Sequence, residues 1–261
     1  MTYINSPLIN LIPYEAPTGQ PHGRGFLKTK TAGVIGGLGP QSTSLFYQTM
    51  TDYCLAQELP RFPRLLINSV NMWEVTEILK QKDLGRLLSF LQKEIGLIQD
   101  QSDFLVMVCN SIHAVIEPIR EFLDIPVLAI HEEVCKEVAK TDIKKIGVLG
   151  TKTTVANRFY QEELSKYNID VALLPPAQEA AFDTVIFEEI LYGRGEGKMK
   201  KLMIKAIEYL RRQACEGVIL ACTELPLFAS QADTDIPLFS STDILAKTVV
   251  NSCFPSVPLP D

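Results

Sequence analysis

Short continuous apolar runs alternate along this chain with longer stretches whose apolar residues recur at helical spacing. Ala32–Ile35, Leu65–Val70, Phe104–Val108 and Val127–Ile130 read as buried strands, bounded by Gly, Pro, Asn or Asp. Between them, Pro40 suits the first turn of a helix running to about Leu55. Leu84, Leu87, Leu88, Leu91, Ile95 and Ile98 trace one face of another helix, and Val115–Phe122 reads as a third. The rhythm restarts at Ile146-Gly147-Val148-Leu149. A helix over roughly Val155–Tyr167, a strand over Val171–Leu174, helices over Thr184–Tyr192 and Met199–Ala214, and a strand over Val218–Leu220 follow, with Ile244–Cys253 helical at the end. Strands alternating with helices predict an α/β fold of parallel sheets with helices on both faces. Such sheets bind ligands beyond the carboxyl ends of their strands.

The pattern is written twice. Val106-Met107-Val108-Cys109-Asn110-Ser111 and Val218-Ile219-Leu220-Ala221-Cys222-Thr223 each end an apolar run on a cysteine followed by a small hydrogen-bonding residue. Cys109 and Cys222 are 113 residues apart, and the glycine turns at Gly36 and Gly150 are 114 apart. Asp124-Ile125-Pro126-Val127 and Asp235-Ile236-Pro237-Leu238 are offset by 111. Three landmarks at one spacing predict two similar Rossmann-like lobes with a cleft between them. The first lobe is expected over 31–133, completed by 242–261, and the second over 134–241. Residues 1–30, with Pro7, Pro13, Pro17 and Pro21, form an irregular extension.

Composition narrows the function. Hydrophobic residues at 46% and charged residues at 21% give a chain able to bury a sizeable core. The net charge of −6, with scattered basic residues, argues against nucleic acid or an anionic membrane as partner. No apolar run reaches membrane-spanning length, and Met1–Lys30 lacks the pattern of a secretory leader, so a cytoplasmic protein is expected. Six cysteines without a CxxC, and three dispersed histidines (His22, His113, His131), predict reduced thiols and no metal site. Cys54, Cys135, Cys215 and Cys253 read as small buried side chains.

Each candidate motif carries two readings. Gly37-x-Gly39-x-x-Ser42 approximates a dinucleotide fingerprint, but the second strand runs into Asn71, with no acid for a ribose. It is either a plain strand–helix turn or a place where backbone approaches a small anionic ligand. A lone cysteine after an apolar strand is usually structural, but a duplicated core has no need of one in both copies. A thiol at a helix start is expected to have a lowered pKa. Asn110, Ser111, Thr223, Thr151 and Thr154 are ordinary helix caps or, equally, donors for a carboxylate. His113 and Glu224 lie where either can tune a thiol or relay a proton, or serve only structurally. His131, after a strand end, is a candidate for the cleft.

At these residues the chain resembles the aspartate/glutamate racemase family of cofactor-independent amino-acid racemases. The turn Gly36-Gly37-Leu38-Gly39-Pro40, the segment Cys109-Asn110-Ser111-Ile112-His113, the segment Gly150-Thr151-Lys152-Thr153-Thr154 and the segment Ala221-Cys222-Thr223-Glu224-Leu225 match its four motifs, in order, from about Thr31 to Phe254. Ser111-Ile112 stands where Thr-Ala is usual, Ala221 where Gly is usual, and Ser240 where Asp is frequent.

The resemblance implies catalytic thiols at Cys109 and Cys222. It implies a small amino-acid substrate held by Gly37, Gly39, Asn110, Ser111, Thr151, Thr154, Thr223 and Glu224, no pyridoxal phosphate, no metal and a homodimer. One thiolate would remove the Cα proton and the opposite thiol would return one. Aspartate or glutamate is the favoured substrate, with Arg61 or Arg64 as the cation for the distal carboxylate. Trp73 either walls the site or packs at a lobe edge. A broad-specificity racemase, a hydantoin racemase or maleate isomerase, and a non-catalytic two-lobed binding protein are the alternatives.

Overall fold

The computed structural model describes residues 29–59 and 62–254. The first half runs β1 (Thr31–Gly36), α1 (Pro40–Ala56), β2 (Arg64–Ser69), α2 (Met72–Gln81), α3 (Leu84–Gly96), β3 (Phe104–Met107), α4 (Ile116–Phe122), β4 (Val127–Leu128) and α5 (Ile130–Val138). The second half runs β5 (Lys145–Gly150), α6 (Lys152–Ala156), α7 (Phe159–Ser165), β6 (Asp170–Ala172), α8 (Pro176–Glu188), α9 (Glu196–Arg212), β7 (Gly217–Ala221), β8 (Leu238–Ser240) and α10 (Ser241–Cys253).

The strands form two four-stranded parallel sheets of one topology, β2-β1-β3-β4 and β6-β5-β7-β8. The repeated spacing is therefore a repeated fold. In each sheet the two central strands are almost wholly buried, as strands covered on both faces must be. The chain reverses direction across each sheet between its two central strands, β1 with β3 and β5 with β7. A crevice opens at that switch, beyond the carboxyl ends. The Gly36 turn and Cys109 flank the first crevice, and Gly150 and Cys222 flank the second.

The lobes exchange helices. Leu245, Ala246, Val249, Val250 and Cys253 of α10 pack on the first lobe, with Ala32, Val34, Phe46, Met50 and Cys54. Val134, Cys135 and Val138 of α5 pack on the second lobe, with Ile146, Val148, Tyr160 and Leu164. The boundary expected at 133/134 thus falls inside α5. The N-terminal extension lies outside the described residues except for residues 29–30.

Several elements depart from the sequence expectation. Val127–Ile130 divides into a two-residue strand and the start of α5, so His131 is helical. Val155–Tyr167 breaks into α6 and α7 at Arg158, which adopts a left-handed backbone with φ 58°. The helix expected at Thr184 begins eight residues earlier, at Pro176, where proline's fixed φ suits a first turn. Helix α2, unforeseen, is capped by the Asn71 side chain, which accepts from the Trp73 N–H at 3.0 Å.

Candidate active site

Both cysteines open into one cleft between the lobes, of about 480 Å³ with its open mouth included. The first lobe supplies Cys109, Asn110 and Ser111 after β3 and Gly39 after β1. The second supplies Cys222, Thr223 and Glu224 after β7 and Thr151 after β5. Of the residues expected to bind substrate, these come together. Two do not reach the cleft. Gly37, with φ 86°, is buried against Val70, where a Cβ would meet backbone atoms at 2.5 and 2.7 Å. Thr154 sits behind Thr151.

Buried polar contacts across the lobes fix the floor. Ser111 Oγ lies 2.9 Å from Thr151 Oγ1 and 3.2 Å from Thr154 Oγ1, and those two hydroxyls are 3.0 Å apart. Asn110 accepts from the Tyr160 hydroxyl at 2.6 Å and donates to Ser241 Oγ at 3.1 Å, so its side chain is committed to structure. Ser241 Oγ donates in turn to the Leu220 carbonyl at 2.8 Å, and Thr242 Oγ1 to the Thr223 carbonyl at 3.3 Å. The first turn of α10 thereby braces the loop carrying Cys222.

The thiols are not activated in the way expected of a helix start. Cys109 is followed by a short 3-10 helix (Ser111–Val115) and Cys222 by a shorter one (Leu225–Leu227), so neither meets the start of a long α-helix and its dipole. Burial pushes the Cys109 pKa up to about 11, opposed by the Ile112 and Ser111 N–H groups and reinforced by the Glu224 carboxylate. Burial, and next Glu224, push Cys222 up as well.

Glu224 is buried, and its pKa is raised by burial. Its carboxyl lies against the turn from Gly39 to Ser42, whose N–H groups and hydroxyl favour the charged form without overcoming burial. Ser42 spends its proton on the Gly39 carbonyl at 2.9 Å, and neither Glu224 oxygen completes a well-formed hydrogen bond. A Cβ on Gly39 would fall 2.5 Å from Glu224 Oε1, so glycine there makes room for this carboxyl.

His113 is a structural residue. Its Nε2 accepts from the Ile130 N–H at 3.2 Å, leaving Nδ1 to donate to the Cys109 carbonyl at 2.9 Å. Burial, and then the neighbouring His131, lower its pKa to about 3. His131 does not point into the cleft. It is buried beside Phe159 and Tyr160, with its own pKa lowered to about 4 by burial. Arg64 begins β2 and is exposed at the amino end of the sheet, away from the cleft. Arg61 lies outside the described residues. Among the described residues no three His, Cys, Asp or Glu side chains gather as a metal site, and no helix is long and apolar enough to cross a membrane.

Residues 35–249 match the family model for Asp/Glu/hydantoin racemases. The chain belongs to that family. The racemase is 27% identical to the broad specificity amino-acid racemase RacX of Bacillus subtilis (strain 168), over 84% of this chain and 96% of that one. Its fold superposes on the crystal structure of an aspartate racemase homologue from Pyrococcus horikoshii OT3 with a TM-score of 0.70. That pair is 26% identical over 85% of this chain and 98% of the other. The aspartate racemase of Picrophilus torridus shares the fold at a TM-score of 0.69 and 20% identity, over 86% and 94% of the two chains.

The racemase has cleft walls that the motifs did not announce. Met72, Val75, Thr76 and Leu79 of α2 form one wall, with Leu38 beside them. Ile186, Phe187 and Leu191 from the end of α8 and the turn after it form the other. The α2 positions follow the i, i+3, i+4, i+7 rule, which was available in the sequence. At the lobe edge Trp73 stacks on Tyr192 of the opposite lobe, with ring centroids 4.7 Å apart and planes inclined by 37°. Met72 and Leu191, their chain neighbours, line the cleft, so the stack lies beside its mouth.

Proposed function

We propose that this racemase interconverts L- and D-amino acids without a cofactor, using Cys109 and Cys222 as the two acid–base groups. The single observation that supports this reading is the placement of the two thiols. Each follows a central strand at the switch of its own sheet, and both open into one cleft. A planar carbanion held between them is reached from both faces.

In one direction a thiolate takes the proton from Cα. The Cα–H bond breaks, its electron pair stays on carbon, and the opposite thiol protonates the other face, becoming the thiolate. The reverse direction exchanges the roles. The α-carboxylate is held by backbone N–H groups around Asn110, Ser111 and Thr223 and by the Ser111–Thr151 hydroxyls, with Thr154 orienting them. Glu224, buried and without a hydrogen-bonding partner, takes the α-ammonium. Cation and carboxylate then offset each other, and the bound ammonium lowers the pKa of both thiols. Closure of the lobes keeps water from the carbanion.

The dicarboxylate preference implied by the resemblance requires a cation for the distal carboxylate. Arg64 is at the wrong end of the sheet, and every described residue lining the cleft is neutral except Glu224. The amino-acid reading does not depend on that preference. Cys109→Ala and Cys222→Ala should each slow racemisation by about 10²-fold or more, the range of a lost acid or base, with circular dichroism unchanged. Chiral chromatography of single amino acids, with no added cofactor, measures it. Turnover at the parent rate by either variant would refute the two-thiol mechanism.

A further inference from the structure

The walls of the cleft say what the substrate's side chain is. Val75 and Leu79 of α2 face Ile186, Phe187 and Leu191 of the other lobe, and Leu38 and Met72 close the space beside the thiols. Leu79, Phe187 and Leu191 are half-buried, with apolar surface left uncovered in the cleft. That remaining apolar surface gains most from an apolar occupant, which removes it from water. A charged side chain there would lose hydration without a partner.

The one ionisable group besides the thiols sharpens the choice. Glu224 is taken up by the substrate's α-ammonium, so among the described residues the cleft holds no cation to offset a second, substrate-borne carboxylate. Charged side chains do occur nearby, in a wider outer cleft of about 1460 Å³, solvent opening included, that shares Thr76, Leu79 and Phe187 with the inner one. There Lys80, Lys82 and Lys152 are matched by Asp83, Asp183 and Glu188. Leu79 and Phe187 line both spaces and partition the charges from the thiols.

We infer that this racemase acts on amino acids with neutral aliphatic side chains, in the class of leucine, valine and methionine, selected by the Val75–Leu79 and Ile186–Leu191 walls. The inference rests on the two-thiol reading above and adds the side chain it accepts. A hydrophobic pocket distinguishes such side chains by about tenfold or more in kcat/KM.

The test compares kcat/KM of the full-length protein for L-leucine, L-valine, L-methionine, L-aspartate, L-glutamate and L-lysine. Racemisation is read by chiral chromatography, and Cα–H exchange in D2O by proton NMR. The aliphatic substrates should lead both charged classes by about tenfold or more. Leu79→Arg or Met72→Arg, two independent ways of bringing a cation to the wall, should raise aspartate relative to leucine. Equal or faster turnover of aspartate, glutamate or lysine by the parent protein overturns the inference while leaving two-thiol racemisation standing. Loss of that turnover in Lys152→Ala would then place the charged end in the outer cleft. Absence of exchange with all six substrates overturns both the racemase reading and the inference built on it.

Discussion

A thiol with a raised pKa is a poor base until something ionises it, and here both thiols are in that state. With the Cys109 pKa near 11, only a small fraction of free protein carries a thiolate at neutral pH. Because kcat/KM reports the free enzyme and free substrate, its logarithm should climb with a slope of about one above pH 7, until the substrate's own α-ammonium deprotonates. The limb belongs to the coupled pair of thiols rather than to one residue. The Glu224 carboxylate raises both thiols, so Glu224→Gln should move the limb to lower pH even as it weakens substrate binding. A plateau already reached at pH 7 would contradict thiols held above their ordinary pKa. The two cysteines were legible in the sequence as candidates because a repeated Cys is a chemical statement. Their protonation was not, because burial and the shortness of the following turns are properties of the assembled site.

Single elements carry the next level. Strands and long helices were readable where apolar spacing persisted, as in α3, whose Leu87, Leu91 and Ile95 are buried. Boundaries failed where one residue type serves two states. Ile130 continues the apolar run of β4, yet opens α5, because its N–H is taken by His113 rather than by a neighbouring strand. That contact ties the loop after β3 to the start of α5, and it requires a neutral ring. His113 and His131 have folded pKa values near 3 and 4, below the ordinary 6.5, so the unfolded chain binds their protons first as pH falls. Their contribution is complete above about pH 6.5 and is lost on acidification toward those folded values. Between pH 7 and pH 5 each should cost about 2 kcal/mol of stability. Urea unfolding at the two pH values measures this, and His131→Phe should reduce the difference. Equal stability at pH 7 and 5 would show that neither histidine is held neutral.

At the scale of the whole molecule, duplication explains most of what sequence alone disclosed. Two copies of one sheet topology place two equivalent edges face to face, and the four motifs fall on those edges. Completion of the first lobe by 242–261, where α10 lies, was an expectation from sequence, whereas the helical start of α5 at Ile130 was not. The walls of the cleft were hidden, since an apolar helix face does not record which surface it covers. Val75 and Leu79 look like any core-facing pair, and only the assembled fold sets them in one cleft with Ile186 and Phe187.

The stacked pair Trp73 and Tyr192 has a practical consequence. Trp73 is the only tryptophan in the chain, it is 44% exposed, and its ring partner belongs to the opposite lobe beside the cleft mouth. The molecule therefore carries its own optical gauge. Any parting of the lobes separates the rings and hands the indole to water, so emission should shift to the red. Saturation with a racemised amino acid should shift it back, with an amplitude that vanishes in Trp73→Phe. Stopped-flow recording of that single emitter would time the opening and closing of the cleft on the unlabelled protein, independently of the chemistry inside.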